Sequence, residues 1–272
     1  MAADMKADAL GSRIRPPAVA GLFYPASAGE LGSSVDALLA ARPAKTQAPK
    51  ALIVPHAGYI FSGPVAASAY GLLGAVAGGL RRVVILGPSH RHWFRGVAIP
   101  AAKAFATPLG ELQIDQEAVE KLTSLPEIVV SDEPHSGEHS LEVQLPFLQR
   151  ISPNVQIVPM VVGDASASEV ASVIDAVWGG AETLIVVSSD LSHYHRYGFA
   201  RAMDSATARA ILDGRDDLSG DQACGCLAVN GLVRVARRRG LRCELLDIRN
   251  SGDTAGDKQR VVGYAAFGFY DA

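Results

Sequence analysis

The stretch that decides the fold is VVILGPSH, Val83 to His90. An apolar, mostly β-branched run goes straight into Gly-Pro-Ser and stops at a histidine. Such a run is the pattern of a strand buried on both faces, and Gly-Pro punctuates its end. The construction recurs in ALIVPH, which ends at His56, and in LIVVSSDLSH, which carries Asp190 and ends at His193. Buried strands that each deliver a polar, metal-capable side chain just past their ends point to a shared site.

Outward from these strands the chain alternates between apolar runs and helical patterns. Toward the N-terminus, residues 1–15 read as a frayed tail, and AVAGLFYP (18–25) as a short extended segment ending in a turn. Ser27 or an adjacent residue is placed to cap a helix through about Leu39, and a second helix is expected from about Pro64. Toward the C-terminus, GVAIP (96–100) and VQIVPMVVGD (155–164) read as strands. Helices are expected at about 116–124 behind Asp115, at 134–150 with an interruption at Pro146, and from Ser166, whose spacing to Glu169 makes a capping box, to Trp178. Further helices at about 198–213 and 224–239, the second closed by Gly240, precede strands at 243–248 and 260–270. This alternation predicts a single α/β domain over residues 16–272, with a mixed, largely parallel central sheet flanked by helices.

Composition narrows the class. The chain has 272 residues, 49% of them apolar, and a formal net charge of −3. That balance fits a globular protein and argues against electrostatic capture of nucleic acid or of an anionic membrane. The longest apolar runs are strand-length, so no membrane-spanning helix is expected. The N-terminal stretch lacks the apolar core of a secretory signal, and the cysteines are just Cys224, Cys226 and Cys243. A cytoplasmic location with reduced thiols is the expectation.

In an open α/β sheet, ligands bind where parallel strands end. If the three His-bearing strands are parallel neighbours, His56, His90 and the Asp190/His193 pair converge on one crevice. Imidazoles beside a carboxylate suit a divalent first-row metal. Asp190 as third ligand would give a two-His-one-carboxylate face suited to Fe(II). Cys224 is the rival, placed where a helix begins and where the helix N-terminus favours a thiolate. HSGEH (135–139) fits a zinc-protease pattern, but Pro134 and Gly137 put it at a helix start rather than its middle. Glu138 and His139 are read instead as substrate-contact residues or supports of metal ligands, His92 as a rim residue, and Tyr59 as crevice wall, substrate donor or, equally, a packing aromatic.

Taken together, AGLFYP (20–25), PHAGYIFSG (55–63), ILGPSH (85–90), EHSLEVQLPFL (138–148), VVSSDLSHY (186–194) and ACGCLAVNGL (223–232) resemble the Memo family. Its microbial members are also called AmmeMemoRadiSam system protein B. The family is similar in fold to class III extradiol dioxygenases of the LigB type. The resemblance implies His56, His90 and Cys224 as metal ligands, with His193 and Asp190 lining the pocket and His193 as the acid/base. It implies Fe(II) first, copper as an alternative that a soft thiolate would suit, and zinc behind both. Some members continue after that Cys with Arg-His-Pro, whereas this chain has Cys226-Leu227-Ala228. Three functions follow as expectations. One is a dioxygenase-like redox enzyme acting on a small molecule or a peptide. Another is a non-catalytic partner of Amme-domain and radical-SAM proteins. The last is a hydrolase with Cys224 as nucleophile.

Overall fold

The structure, a computed structural model, describes residues 14–41, 47–74 and 76–271. The first half of the chain gives β1 (Ile14–Arg15), α1 (Ala28–Ala40), β2 (Ala51–Val54), α2 (Tyr59–Tyr70), β3 (Arg82–Pro88) and β4 (Val97–Ile99). A hairpin of β5 (Ala104–Thr107) and β6 (Gly110–Gln113) follows, then α3 (Gln116–Leu122), β7 (Ile128–Val130), α4 (Glu133–Ser136) and α5 (Leu145–Ile151). The second half gives β8 (Gln156–Val162), α6 (Ala167–Ala176), β9 (Thr183–Ser188) and β10 (His193–His195). It closes with α7 (Tyr197–Leu212), α8 (Cys226–Arg239), β11 (Arg242–Asn250) and β12 (Val261–Tyr270).

The large sheet runs β10-β12-β2-β9-β3-β8-β4-β7, with β11 also paired to β12. Its centre, β2-β9-β3-β8, is parallel throughout. β12 against β2 and β4 against β8 are antiparallel, which makes the sheet mixed. The central strands are buried along nearly their whole length, because helices cover both faces. On one face Ile53, Leu86, Ile185 and Val187 meet Val170 and Ile174 of α6 and Val229 and Leu232 of α8. On the other, Leu52, Ile85 and Val186 meet Leu31 of α1, Val65 and Tyr70 of α2, and Phe147 of α5.

Register then places the site. Val54 pairs with Ser188 and Leu86 with Val187, so β2, β9 and β3 end side by side. Their continuations, Pro55-His56, Ser189-Asp190 and Ser89-His90, leave the same edge together.

Local chemistry explains most boundaries. Ser27, Asp115 and Ser166 cap α1, α3 and α6, the last through a reciprocal capping box with Glu169. Gly240 ends α8 in the left-handed conformation at φ 69°. Other expectations are corrected. Most of the tail expected over residues 1–15 lies outside the described residues, but Ile14 and Arg15 form a strand against β5. The second helix begins at Tyr59 rather than near Pro64, because Phe23 O accepts the Tyr59 N–H (2.8 Å) and supplies the missing cap. The helix expected over 134–150 is broken into α4 and α5, with Pro146 in the first turn of α5, where it is tolerated. The intervening residues instead wrap their N–H groups around the Glu138 carboxylate. α8 starts at Cys226, leaving Cys224 in the preceding turn.

Candidate metal centre

His56 is fully buried and His90 exposed at the crevice edge, their rings 5.2 Å apart and nearly perpendicular. Cys224 arrives from the other side of the crevice, with its Sγ 3.2 Å from His56 Nε2. One donor atom from each of His56, His90 and Cys224 lies within 4.8 Å of the other two, close enough to share one metal ion. The donor set is chemically suited to such an ion. His90 Nδ1 donates to Glu138 Oε1 (2.9 Å) and His56 Nδ1 is bonded to Ser188 Oγ (2.9 Å), so both Nε2 atoms remain free to ligate. Ring nitrogens held from behind in this way are characteristic of metal-ligating histidines. Asp190 does not belong to this group of donors. Its Oδ1 accepts the His56 backbone N–H (2.8 Å).

β9 is the post to which the neighbouring loops are tied. Asp190 holds the His56 backbone, and Asp190 O accepts the Cys224 N–H (3.2 Å). Ser189 Oγ accepts the Gly225 N–H (2.9 Å) and so fixes the turn that carries Cys224. On the His90 side, Glu138 accepts the backbone N–H groups of His90, His139 and Ser140 as well as the His90 ring. Burial alone would raise the Glu138 carboxyl, but the His90 ring and these N–H groups hold it well below the usual range. Glu138 is anchored in turn. Arg15 Nη2 donates to Glu138 O (2.6 Å), and Arg15 Nη1 pairs with the fully buried Glu142 (2.5 Å). Glu142 also accepts from the backbone N–H groups of Ala18 and Val19 and from the Tyr24 hydroxyl.

The electrostatics favour neutral ligands. Burial, with the positive potential of His90 and His139, keeps the His56 imidazole far below its ordinary 6.5. His139 stacks on His90 at 4.6 Å, and burial lowers its imidazole to about 4 despite the opposing Glu138 charge. Burial pushes the Asp190 carboxyl up to about 7, with the His56 N–H working against it. Burial and the Asp190 charge push the Cys224 thiol up to about 12. The thiolate-favouring helix N-terminus expected at Cys224 is therefore not realised, since the helix begins two residues later. A bound cation would itself supply the charge that stabilises a thiolate.

The remaining expected residues separate into two groups. His193 is half-buried at the start of β10, close enough that a positive charge on it would disfavour one on His56. Burial lowers its own imidazole, opposed by a hydrogen bond to the Leu191 backbone. Tyr194 beside it adopts φ 62°, a strained left-handed conformation at the bulge between β10 and β12. His92 lines a cavity of about 480 Å³ whose wall also carries His90 and Cys224. Tyr59 turns away from the crevice: its hydroxyl donates to Val143 O (2.7 Å) and its ring packs on Phe147. Ser188, Gln144, Glu142 and Arg15 are supports that the sequence reading missed. For Ser188, Gln144 and Glu142 the one visible signal was polar residues inside otherwise apolar segments, VVSSD and LEVQL; Arg15 had none.

The sequence profile described as Memo-like protein matches residues 15–268. This chain belongs to the Memo family. Among similar Memo-family chains, one from Aquifex aeolicus is 35% identical, over 93% of this chain and 97% of the relative. Another from Archaeoglobus fulgidus is 36% identical, over 94% and 99%. Both carry the description MEMO1 family protein. A solved structure of an uncharacterized protein from Escherichia coli K12 aligns with a TM-score of 0.47 and 13% identity, over 79% of this chain and 98% of that one. Among the described residues of this Memo chain, no helix is long and apolar enough to cross a membrane.

Proposed function

We propose that this Memo-family chain is a metal-dependent, dioxygenase-like redox enzyme of the cytoplasm, built as one α/β domain. His56, His90 and Cys224 hold Fe(II), with copper as the alternative that the thiolate would suit and zinc behind both. The observation that carries the reading is the convergence of the three donors, with both histidines held through Nδ1 so that each Nε2 is left free. An iron or copper ion held there would supply redox and Lewis-acid chemistry to a substrate in the crevice.

The chain's own residues provide the rest. His193, unprotonated at neutral pH, takes a proton from the substrate and returns it to the product. Asp190 acts by holding the His56 loop and not as a partner of the His193 ring. Deep burial of His56 excludes water from one wall of the site, while the cavity beside His90 and Cys224 admits a small molecule or a peptide side chain. The test is oxygen consumption by anaerobically iron-loaded protein offered catechols and peptides. Turnover lost in His193→Ala with iron content intact is the expected result. No turnover with any of these substrates would overturn the enzymatic reading.

A second reading is suggested by the name of the family's microbial members, AmmeMemoRadiSam system protein B. On it, the chain is a non-catalytic metal-binding partner of an Amme-domain or radical-SAM protein. Pull-down of such a partner, with no oxygen consumption, is its expected outcome.

A further inference from the structure

The proton positions around Ser188 can be worked out from its neighbours. Ser188 is fully buried at the end of β9, and its Oγ contacts Ser140 O (2.6 Å), Gln144 Nε2 (2.9 Å) and His56 Nδ1 (2.9 Å). A serine hydroxyl has one proton to give and two lone pairs to receive with. The Ser140 carbonyl can only accept.

The orientation of Gln144 removes the ambiguity at its amide. Nε2 also lies 3.0 Å from Pro55 O, which can only accept, while Oε1 lies 3.0 Å from the Tyr70 hydroxyl. The NH₂ end therefore faces both Pro55 and Ser188, and Gln144 donates to Ser188. If the Ser188 proton pointed at His56 instead, two buried oxygens would sit 2.6 Å apart with no proton between them. The Ser188 proton thus lies on the Ser140 carbonyl. What remains for His56 is a lone pair of Ser188, so Nδ1 must be the donor. His56 is buried beside two other imidazoles, and among the described residues no carboxylate is bonded to its ring, so it carries a single proton. Its Nε2 then has a free lone pair, 3.2 Å from Cys224 Sγ.

We propose that Ser188 is a positioning residue that fixes His56 as the Nδ1–H tautomer and aims its Nε2 lone pair at the space shared with His90 and Cys224. Gln144 and Ser140 act through it, by determining which way its hydroxyl points. The inference rests on the three-donor site of the proposed function but not on turnover or on the identity of the native metal.

The experiment uses the whole, metal-free, ¹⁵N-labelled protein, with the His56 ring signals assigned by their loss in His56→Gln. In wild type, Nδ1 should show the shift of a protonated ring nitrogen and Nε2 that of an unprotonated one. In Ser188→Ala, the Nε2–H form should appear, and affinity for Zn(II) in a chelator competition should fall about 10–100-fold. Amide signals remote from the site should be unchanged. An Nε2–H signature in wild type overturns the proposal. So does a Ser188→Ala protein that keeps both the wild-type ring pattern and Zn(II) affinity within twofold. Where Ser188→Ala does not fold, the wild-type ring spectrum decides alone. A wild type that binds no Zn(II) but shows the Nδ1–H pattern would count against the metal site and leave the tautomer assignment standing.

Discussion

Replacing Glu138 with glutamine changes one buried atom and should loosen the wall that carries His90. The carboxylate accepts the backbone N–H groups of His90, His139 and Ser140 and the His90 ring Nδ1, at 2.8–2.9 Å. A glutamine of the same shape can keep its oxygen where Oε1 accepts three of these donors. Its NH₂ then meets the His90 N–H, donor against donor. A hydrogen bond to a charged acceptor contributes about 1.5–3 kcal/mol, and the three retained bonds weaken as the charge disappears. The expected destabilisation is roughly 3 kcal/mol, which for a chain of this size lowers Tm by about 6–12 °C.

The effect should also reach the candidate metal centre, because the lost partner orients His90. Zn(II) affinity should fall about 10–100-fold. Urea unfolding and chelator competition on the same samples measure both. The sign of the pH dependence adds a control. The Glu138 carboxyl is held below its ordinary 4.5 in the folded protein, so its contribution is present above that pH and is lost as pH falls. The gap between wild type and Glu138→Gln should therefore narrow in acid. A variant within 1 kcal/mol of wild type that binds Zn(II) equally well would refute the reasoning.

Arg15→Met leaves the Glu142 carboxylate buried without its cation and should cost about 3–5 kcal/mol by urea unfolding; a loss below 1 kcal/mol would contradict it. His135 should make the fold acid-labile. Its Nε2 bonds Ala98 O, its Nδ1 is buried without a partner, and burial with the Arg15 charge lowers its imidazole to about 4. The unfolded chain then binds a proton between about pH 6.5 and 4 that the folded one refuses, so stability is complete above 6.5 and falls by about 3 kcal/mol on the way down. His135→Asn should reduce that slope by about 1.4 kcal/mol per pH unit, and an unchanged slope would sink the assignment. Cys224, with its thiol pushed up to about 12, should alkylate with iodoacetamide at pH 7 at least ~100-fold more slowly than in the unfolded chain. Labelling at the unfolded rate would revive the cysteine-nucleophile reading.

The strands that build the site were legible because burial on both faces leaves uninterrupted apolar runs, and the candidate ligands His56 and His90 stand just past them. Capping chemistry is equally local, which is why Ser27, Asp115, Ser166 and Gly240 were readable from a few neighbours each. Cys224 against Asp190 was not decidable from spacing, because the choice depends on which side chain the His56 N–H occupies. The supports were hidden for the same reason. Arg15 meets Glu142, and Ser188 meets His56, across more than a hundred residues of chain, and no periodicity reports such pairs. Two errors share a cause: the helices expected at Pro64 and over 134–150 were misjudged because tertiary partners, Phe23 O and the Glu138 carboxylate, replaced local propensity.

The central claim is that His56, His90 and Cys224 hold one metal ion, and anaerobic loading of the metal-free protein with Co(II) tests it most directly. Wild type should bind one equivalent and show the near-ultraviolet charge-transfer absorption of a thiolate on cobalt. Cys224→Ser should lose that absorption, His56→Ala should lose the bound metal, and Asp190→Asn should keep the absorption. Undiminished cobalt content in His56→Ala, or an unchanged thiolate band in Cys224→Ser, would contradict the account.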